Sequence, residues 1–357
     1  MDDSNTILVL QDYCIRMRGA SCERCSLACP HAAITYAENE RPTINLDTCS
    51  NCGICLGICD AFTSTRVTMI DLHARMRRIA LRGEEVIITC GVYVDAAIEA
   101  GSITAADELA HNVVVLPCIA ALSPEFWTVL LSEDLTVSVA CDLGLCDVCT
   151  RAPGMGEPLF THAIAEAERW CSTAVGFSEY LPEKENLVRG LANTESVDRR
   201  SVFTNLASDV SDITSGRRRL RNSETLQKFY EQKERARARA QLQLNDVGHL
   251  NNFAPLGRVK QTMWPKRQLL LEALDRKPEI GTRITLAISE TDLDMCTNDL
   301  ACTRVCPSSA RYPDPSTGQL VYDPRYCIAC DLCVGACPQK AITIVEKPAS
   351  SLHDDTE

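Results

Sequence analysis

The spacing of its cysteines constrains this chain more than any other feature. Cys327-Ile-Ala-Cys330-Asp-Leu-Cys333-Val-Gly-Ala-Cys337-Pro338 sets four cysteines at x2, x2 and x3, with proline directly after the fourth. Spacing so close lets one loop supply three thiolates to a compact metal group without stretching. The run just upstream, Cys296-Thr-Asn-Asp299-Leu-Ala-Cys302-Thr-Arg-Val-Cys306-Pro307, keeps the spacing and the proline but carries aspartate at the second position. The N-terminal end holds Cys22-x2-Cys25-x3-Cys29-Pro30 and Cys49-x2-Cys52-x2-Cys55-x3-Cys59. The stretches between runs, 30–48 and 307–326, differ by one residue, so the two ends read as one duplicated unit.

At 357 residues and 45% hydrophobic content the chain has room for two or three domains with real cores. Aromatic residues are scarce at 5% while cysteines number 21, a balance in which metal ligation replaces part of the packing. The first residues, Met1-Asp-Asp-Ser-Asn-Thr, are acidic and lack the basic start and apolar run of an export signal. The expectation is therefore a cytoplasmic protein whose thiols are reduced and committed to metal rather than to disulfides. No apolar stretch approaches the roughly 18 residues of a membrane span. A net charge of -12 argues against nucleic-acid binding and suits docking to a basic patch on a redox partner.

These runs resemble those of bacterial two-cluster ferredoxins, and the resemblance implies a 4Fe-4S dicluster fold at each end. In that family the fourth cysteine of each run crosses to the other cluster. The implied groups are Cys14, Cys22, Cys25 and Cys59; Cys29, Cys49, Cys52 and Cys55; Cys296, Asp299, Cys302 and Cys337; and Cys306, Cys327, Cys330 and Cys333. Two departures stand out: seven residues, Ile15 to Ser21, separate Cys14 from Cys22, and Asp60 replaces the usual proline. If Cys14 does not reach, its site holds three thiolates and a 3Fe-4S cluster. Asp299 is either a hard, weakly held ligand of a cluster able to lose one iron, or a cap on the following turn. Zinc ribbons also use paired C-x2-C units, but as two separated pairs rather than x2-x2-x3 runs. Short strands are expected at Ile7–Leu10, Thr43–Leu46 and Val67–Ile70, and later at Arg283–Ile288, Gln319–Tyr322 and Ala341–Val345.

Residues 84–180 change character. Glu85–Cys90, Asn112–Cys118 and Leu135–Cys141 are β-branched apolar runs, each ending in cysteine. Helical segments are expected between them over Ala96–Ala110, from Ser123-Pro124-Glu125, and over Glu157–Trp170. Alternating strands and helices imply a parallel, Rossmann-like α/β sheet, whose ligand-binding rim collects all three cysteines. Cys146 and Cys149 follow in the next loop. Buried cysteines also pack simply as small hydrophobes, which is the alternative for each one alone. The strand-end cysteines, the Leu116-Pro117-Cys118 turn and the Cys141-x4-Cys146 loop resemble the delta subunit of methyl-viologen-reducing hydrogenase. That resemblance implies a 2Fe-2S cluster on Cys90, Cys118, Cys141 and Cys146, with Cys149 the rival for the fourth place. The chain departs from the family in lacking a second cysteine soon after Cys90 and in carrying Asp147-Val148 after the last ligand.

The domain reading is a dicluster domain over 1–75, the α/β domain over 84–180, a basic helical linker over 181–282, a second dicluster domain over 283–346 and a disordered tail over 347–357. A linker helix is expected at Pro265–Arg276, stopped by Lys277-Pro278. The basic stretches Gly216–Arg221 and Lys228–Arg239 read as solvated or docking faces rather than a nucleic-acid site. No phosphate loop, nicotinamide or flavin fingerprint or catalytic constellation stands out. The pattern and its resemblances imply up to four 4Fe-4S clusters, one of them open to a 3Fe-4S form, and one 2Fe-2S cluster. They point to an electron-transfer subunit of an anaerobic oxidoreductase, with hydrogenase, formate-dehydrogenase or heterodisulfide-reductase-like partners and a soluble ferredoxin as carrier. The alternative class is a redox sensor or assembly protein.

Overall fold

The computed structural model describes residues 7–37, 40–103, 109–178, 180–182 and 260–352. The basic stretches 216–221 and 228–239 lie outside the described residues, as do residues 353–357 of the expected tail.

The first unit runs β1 (Ile7–Val9), α1 (Arg24–Leu27), β2 (Ile34–Thr35), β3 (Thr43–Ile44), α2 (Ile54–Ile58) and β4 (Phe62–Ser64). β1 pairs antiparallel with β4, Ile7 opposite Ser64, and β2 pairs antiparallel with β3. Ile7, Ile34, Ala61 and Phe62 close a small core around Cys14, Cys25 and Cys55.

The strand expected at Val67–Ile70 is not formed. Thr68 instead caps α3 (Met69–Ala80) in a reciprocal box: its hydroxyl accepts the Asp71 N–H at 3.1 Å and the Asp71 carboxylate accepts the Thr68 N–H at 3.4 Å. Leu72, Met76 and Ile79, spaced for one helix face, are buried beneath it.

β5 (Val86–Cys90), β6 (Val113–Leu116), β7 (Val137–Ala140) and β8 (Gly176–Ser178) form a wholly parallel sheet in the order β6-β5-β7-β8. The chain is thus mixed α/β with a parallel four-stranded sheet. The helix expected over Ala96–Ala110 starts earlier: α4 (Gly91–Glu99) follows Cys90 at once, and Gly101 turns the chain at φ 73°. A strand that ends at the rim of a parallel sheet must turn directly into its crossover, and this outweighs the β-favouring Val92-Tyr93-Val94. α5 (Pro124–Ser132) has the expected Ser123 cap and Pro124 start, and Phe126 through Ser132 are all buried. The short α6 (Leu143–Asp147) is capped by Asp142, and α7 (Gly156–Cys171) covers the sheet beside α5.

α8 (Pro265–Arg276) lies on α5 and is held there at one end by Glu133, which receives His73 of α3 at 3.1 Å, Arg77 at 3.2 Å and Arg276 at 2.8 Å. The last unit repeats the first: β9 (Thr285–Thr291), α9 (Ala301–Val305), β10 (Arg311–Pro313), β11 (Leu320–Tyr322), α10 (Leu332–Ala336) and β12 (Ile342–Pro348). β9 and β12 pair antiparallel over seven residues, and β10 pairs with β11. The first residues of the expected tail belong to the last unit instead. Lys347 and Pro348 complete β12, and Ala349–Leu352 form a 3-10 turn whose Ala349 and Leu352 are buried beside Ile280 and Ile284. One apolar cluster joins Cys52 and Ile54 of the first unit, the sheet and α5, and Leu270, Leu274 and Ile280 beyond.

Candidate iron-sulfur sites

The cysteine runs share a backbone conformation. Asn51 (φ 54°) and Gly53 (φ 80°) flank Cys52, Ala329 (φ 50°) and Asp331 (φ 62°) flank Cys330, and Asn298 (φ 58°) and Leu300 (φ 59°) flank Asp299. The third residue after three of the fourth cysteines, Ala32, Ser309 and Lys340, is also left-handed at φ 48°, 53° and 53°. Non-glycine residues in this region each cost about 1 kcal/mol or more, so their recurrence at matching positions marks a built feature. Alternating backbone hands turn successive N–H groups inward, a concavity that suits anions and iron-sulfur groups. The Cys29 and Cys337 sulfurs accept the N–H groups four residues on, from Ala33 at 3.3 Å and Ala341 at 3.4 Å.

The loops draw the thiols into sets. Burial, with Cys59, Cys22 and Cys14 adding to it, pushes Cys25 up to about 12. The seven-residue insertion before Cys22 does not carry Cys14 away. It folds into a 3-10 turn over Ile15–Arg18 that reverses at Gly19, leaving Cys14 buried against Cys25. Cys55 is raised by burial and by Cys52, Cys49 and Cys29, and these four line one pocket. Cys330 is raised to about 12 by burial and by Cys306, Cys333 and Cys327, and these four line one pocket. Cys302 is raised by burial, with Cys333 and Cys296 adding to it, and packs in one cluster with Cys337. We call the sets I (Cys14, Cys22, Cys25, Cys59), II (Cys29, Cys49, Cys52, Cys55), III (Cys296, Asp299, Cys302, Cys337) and IV (Cys306, Cys327, Cys330, Cys333).

Asp299 is exposed, and its Oδ1 accepts the Ala301 N–H at 2.8 Å. Cys52 and Cys330 take the same bond from the residue two positions on, Ile54 and Leu332. The aspartate oxygen thus accepts the bond that the thiols accept in the matching loops, which is also the bond of a cap on the following turn.

At the sheet rim, Cys90 ends β5, Cys118 lies two residues past β6, Cys141 directly follows β7 and Cys146 sits in α6. Cys118 and Cys141 are each pushed up to about 12, first by burial, and both feel Cys90 and Cys146. Cys146 is raised to about 11 by burial, Cys90, Glu157 and Cys149. Cys149 is therefore also close, and its sulfur accepts the Ala152 N–H at 3.4 Å. Cys118 also feels Cys52, so the rim adjoins set II.

Three cations escape the sequence pattern. Arg311 is 1% exposed, donates to Ser289 Oγ at 3.2 and 3.0 Å and to Thr291 Oγ1 at 2.5 Å, and lies 4.4 Å above the Tyr322 ring. These partners are neutral, while its charge acts on Cys302 and Cys333. Lys266 Nζ is buried with no hydrogen-bond partner among the described residues, and its charge acts on Cys59. Arg267 donates Nη2 to the Cys327 carbonyl at 2.6 Å, and its buried Nη1 has no partner among the described residues. Buried cations without a bonded carboxylate cost several kcal/mol each, and an anionic cluster with its thiolates would supply charge of the opposite sign. Among the described residues no three His, Cys, Asp or Glu side chains form a group able to hold a single metal ion.

A family model described as a 4Fe-4S dicluster domain matches residues 289–338, the segment that contains all of sets III and IV. This end of the chain is a ferredoxin-type domain, and the match supports 4Fe-4S binding there. No curated protein and no solved structure matches the chain. No helix among the described residues is long and apolar enough to cross a membrane.

Proposed function

We propose that this protein is an iron-sulfur electron-transfer subunit of an oxidoreductase. The observation that carries the reading is the convergence of sets II and IV: four cysteines from two runs line one pocket at each end of the chain. Clusters bound there supply one-electron chemistry without proton or group transfer. The chain's own work is to hold thiolates at fixed points, aim backbone N–H groups at sulfur and keep water away, which together tune affinity for the electron. Sets I, II and IV are assigned to 4Fe-4S clusters and set III to a cluster that interconverts between 4Fe-4S and 3Fe-4S forms. Cys90, Cys118, Cys141 and Cys146 are assigned to a 2Fe-2S cluster. The sequence resemblance points to a hydrogenase, formate-dehydrogenase or heterodisulfide-reductase-like partner and a soluble ferredoxin carrier in the cytoplasm of an anaerobe. The exposed Leu293 and Met295, beside Cys296, offer an apolar contact at that end.

Anaerobic titration of the purified protein with dithionite and then with a mild oxidant tests this reading. A conduit takes up and returns several electrons with unchanged oligomeric state over repeated cycles, the spectra changing only by the 3Fe-4S signal expected of set III. A change of shape or association state tied to one redox form overturns it in favour of a sensor.

A further inference from the structure

The first turn of α8 touches both ends of the chain. Trp264 meets Tyr13, next to Cys14, edge to face at 5.8 Å. The Lys266 N–H is accepted by Asp60, next to Cys59, at 2.9 Å. Arg267, the next residue, reaches the Cys327 carbonyl at 2.6 Å, and the Thr262 N–H reaches the Ser308 carbonyl at 2.9 Å. A single crevice is lined by all four cysteines of set I, by Lys266 and Arg267, and by Cys330 of set IV. Set I therefore faces set IV, and α8 stands at the crossing. The other neighbours extend the order: set IV adjoins set III around Arg311, and set II adjoins the sheet rim through Cys52 and Cys118.

We propose that Lys266 and Arg267 form an electrostatic joint between the two ends of the chain, Lys266 raising the reduction potential at set I and Arg267 that at set IV. This rests on the electron-transfer reading above. Reduction adds one negative charge and neither makes nor breaks a bond, so a fixed cation alongside favours the reduced form. The electron comes from a one-electron donor and leaves to a one-electron acceptor, both external to the chain. The charged groups facing the two cations are Asp60 and Glu125, both in range of Arg267, with Cys59 beside Lys266 and Cys327 beside Arg267. The Glu125 Oε2 is buried and bonded to neither cation, so both charges remain available to the thiol sets. Asp60 serves this arrangement directly. It replaces the proline that ends the matching runs, and its carboxylate fixes the backbone of Lys266.

The test is potentiometry of the loaded full-length protein followed by electron paramagnetic resonance, resolving each cluster component. Lys266→Met lowers the reduced-to-oxidised ratio of one component at least tenfold at fixed solution potential, which is 59 mV for a one-electron couple. Arg267→Met does the same to a different component, and that component also moves in Arg311→Met. Arg267→Lys keeps the charge and leaves the component in place, which separates the electrostatic effect from a folding defect. Magnetic interaction between the two components in the reduced protein is expected, because set I faces set IV. No localised shift, or no interaction, overturns the joint while leaving electron transfer intact. Protein devoid of iron and sulfide overturns the underlying reading instead.

Discussion

Replacing Arg311 with methionine removes a buried cation from a site where the duplicated first unit has none. The equivalent residue, five positions after the fourth cysteine of its run and first in β2, is Ile34, buried and apolar. In the last unit the Arg311 guanidinium bonds Ser289 Oγ at 3.0 Å, and that hydroxyl lies 3.6 Å from the Cys327 sulfur. The cation is thus within about 7 Å of a set IV sulfur, and at an effective dielectric of about 20 this separation is worth about 2 kcal/mol. For a one-electron couple that is a potential lower by about 100 mV when the charge is removed. Burial pushes the Cys327 thiol up, but bonds from Tyr322, Ala329 and Ser289 leave it below its ordinary value, alone among the cysteines with a resolved shift. Its surroundings therefore already favour the anion. Potentiometric titration of Arg311→Met should show two components lowered, those of sets III and IV, with the N-terminal pair unmoved. In protein stripped of iron the same substitution should be neutral or stabilising, because it deletes an unpaired buried charge. An equal shift in every component, or none, refutes the reasoning.

Gly57→Ala places a Cβ 2.4 Å from the Ala120 carbonyl oxygen, so the contact between the first unit and the α/β domain must open, at a cost of about 1–3 kcal/mol in thermal unfolding. An unchanged melting temperature contradicts that docking. Thr68→Ala breaks the reciprocal cap of α3 and lowers stability by about 1 kcal/mol in denaturant titration, whereas a strand at this position would lose far less. Mild oxidation yields a 3Fe-4S signal in electron paramagnetic resonance, and Asp299→Cys suppresses it, since a thiolate holds the corner iron more tightly than a carboxylate. A signal that persists in the variant arises elsewhere, and the role given to Asp299 fails. Cys171 lies in none of the sets, is pushed up to about 11 chiefly by burial, and faces the Thr128 carbonyl. A thiol raised in the folded state stabilises below its unfolded pKa and loses that contribution as pH rises toward 11, so it resists alkylation at pH 8, and Cys171→Ala leaves iron content unchanged.

Much of the framework was legible because cysteine spacing is a local signal. The runs dictate loops, and the flanking apolar segments form β1, β3, β9, β11 and β12 close to where alternation puts them. The parallel sheet was legible from β-branched runs separated by helical stretches. Val67–Ile70 was misread because four residues suit a short strand, although Thr68-x-x-Asp71 and the Leu72, Met76, Ile79 spacing already carried a helix start. The x7 gap gave no sign of the turn that returns Cys14, since that depends on Gly19 adopting φ 90°. Arg311, Lys266 and Arg267 were invisible for a different reason. Their significance comes from partners 22, 206 and 60 residues away, and a lone basic residue in sequence reads as solvated surface.

The most direct test is elemental: iron, acid-labile sulfide and zinc measured together on anaerobically purified full-length protein. Fifteen motif cysteines with Asp299 make four cluster positions, and the rim adds one two-iron site, so the account predicts about 16 to 18 iron atoms per chain with matching sulfide. Stoichiometric zinc with little sulfide would contradict it.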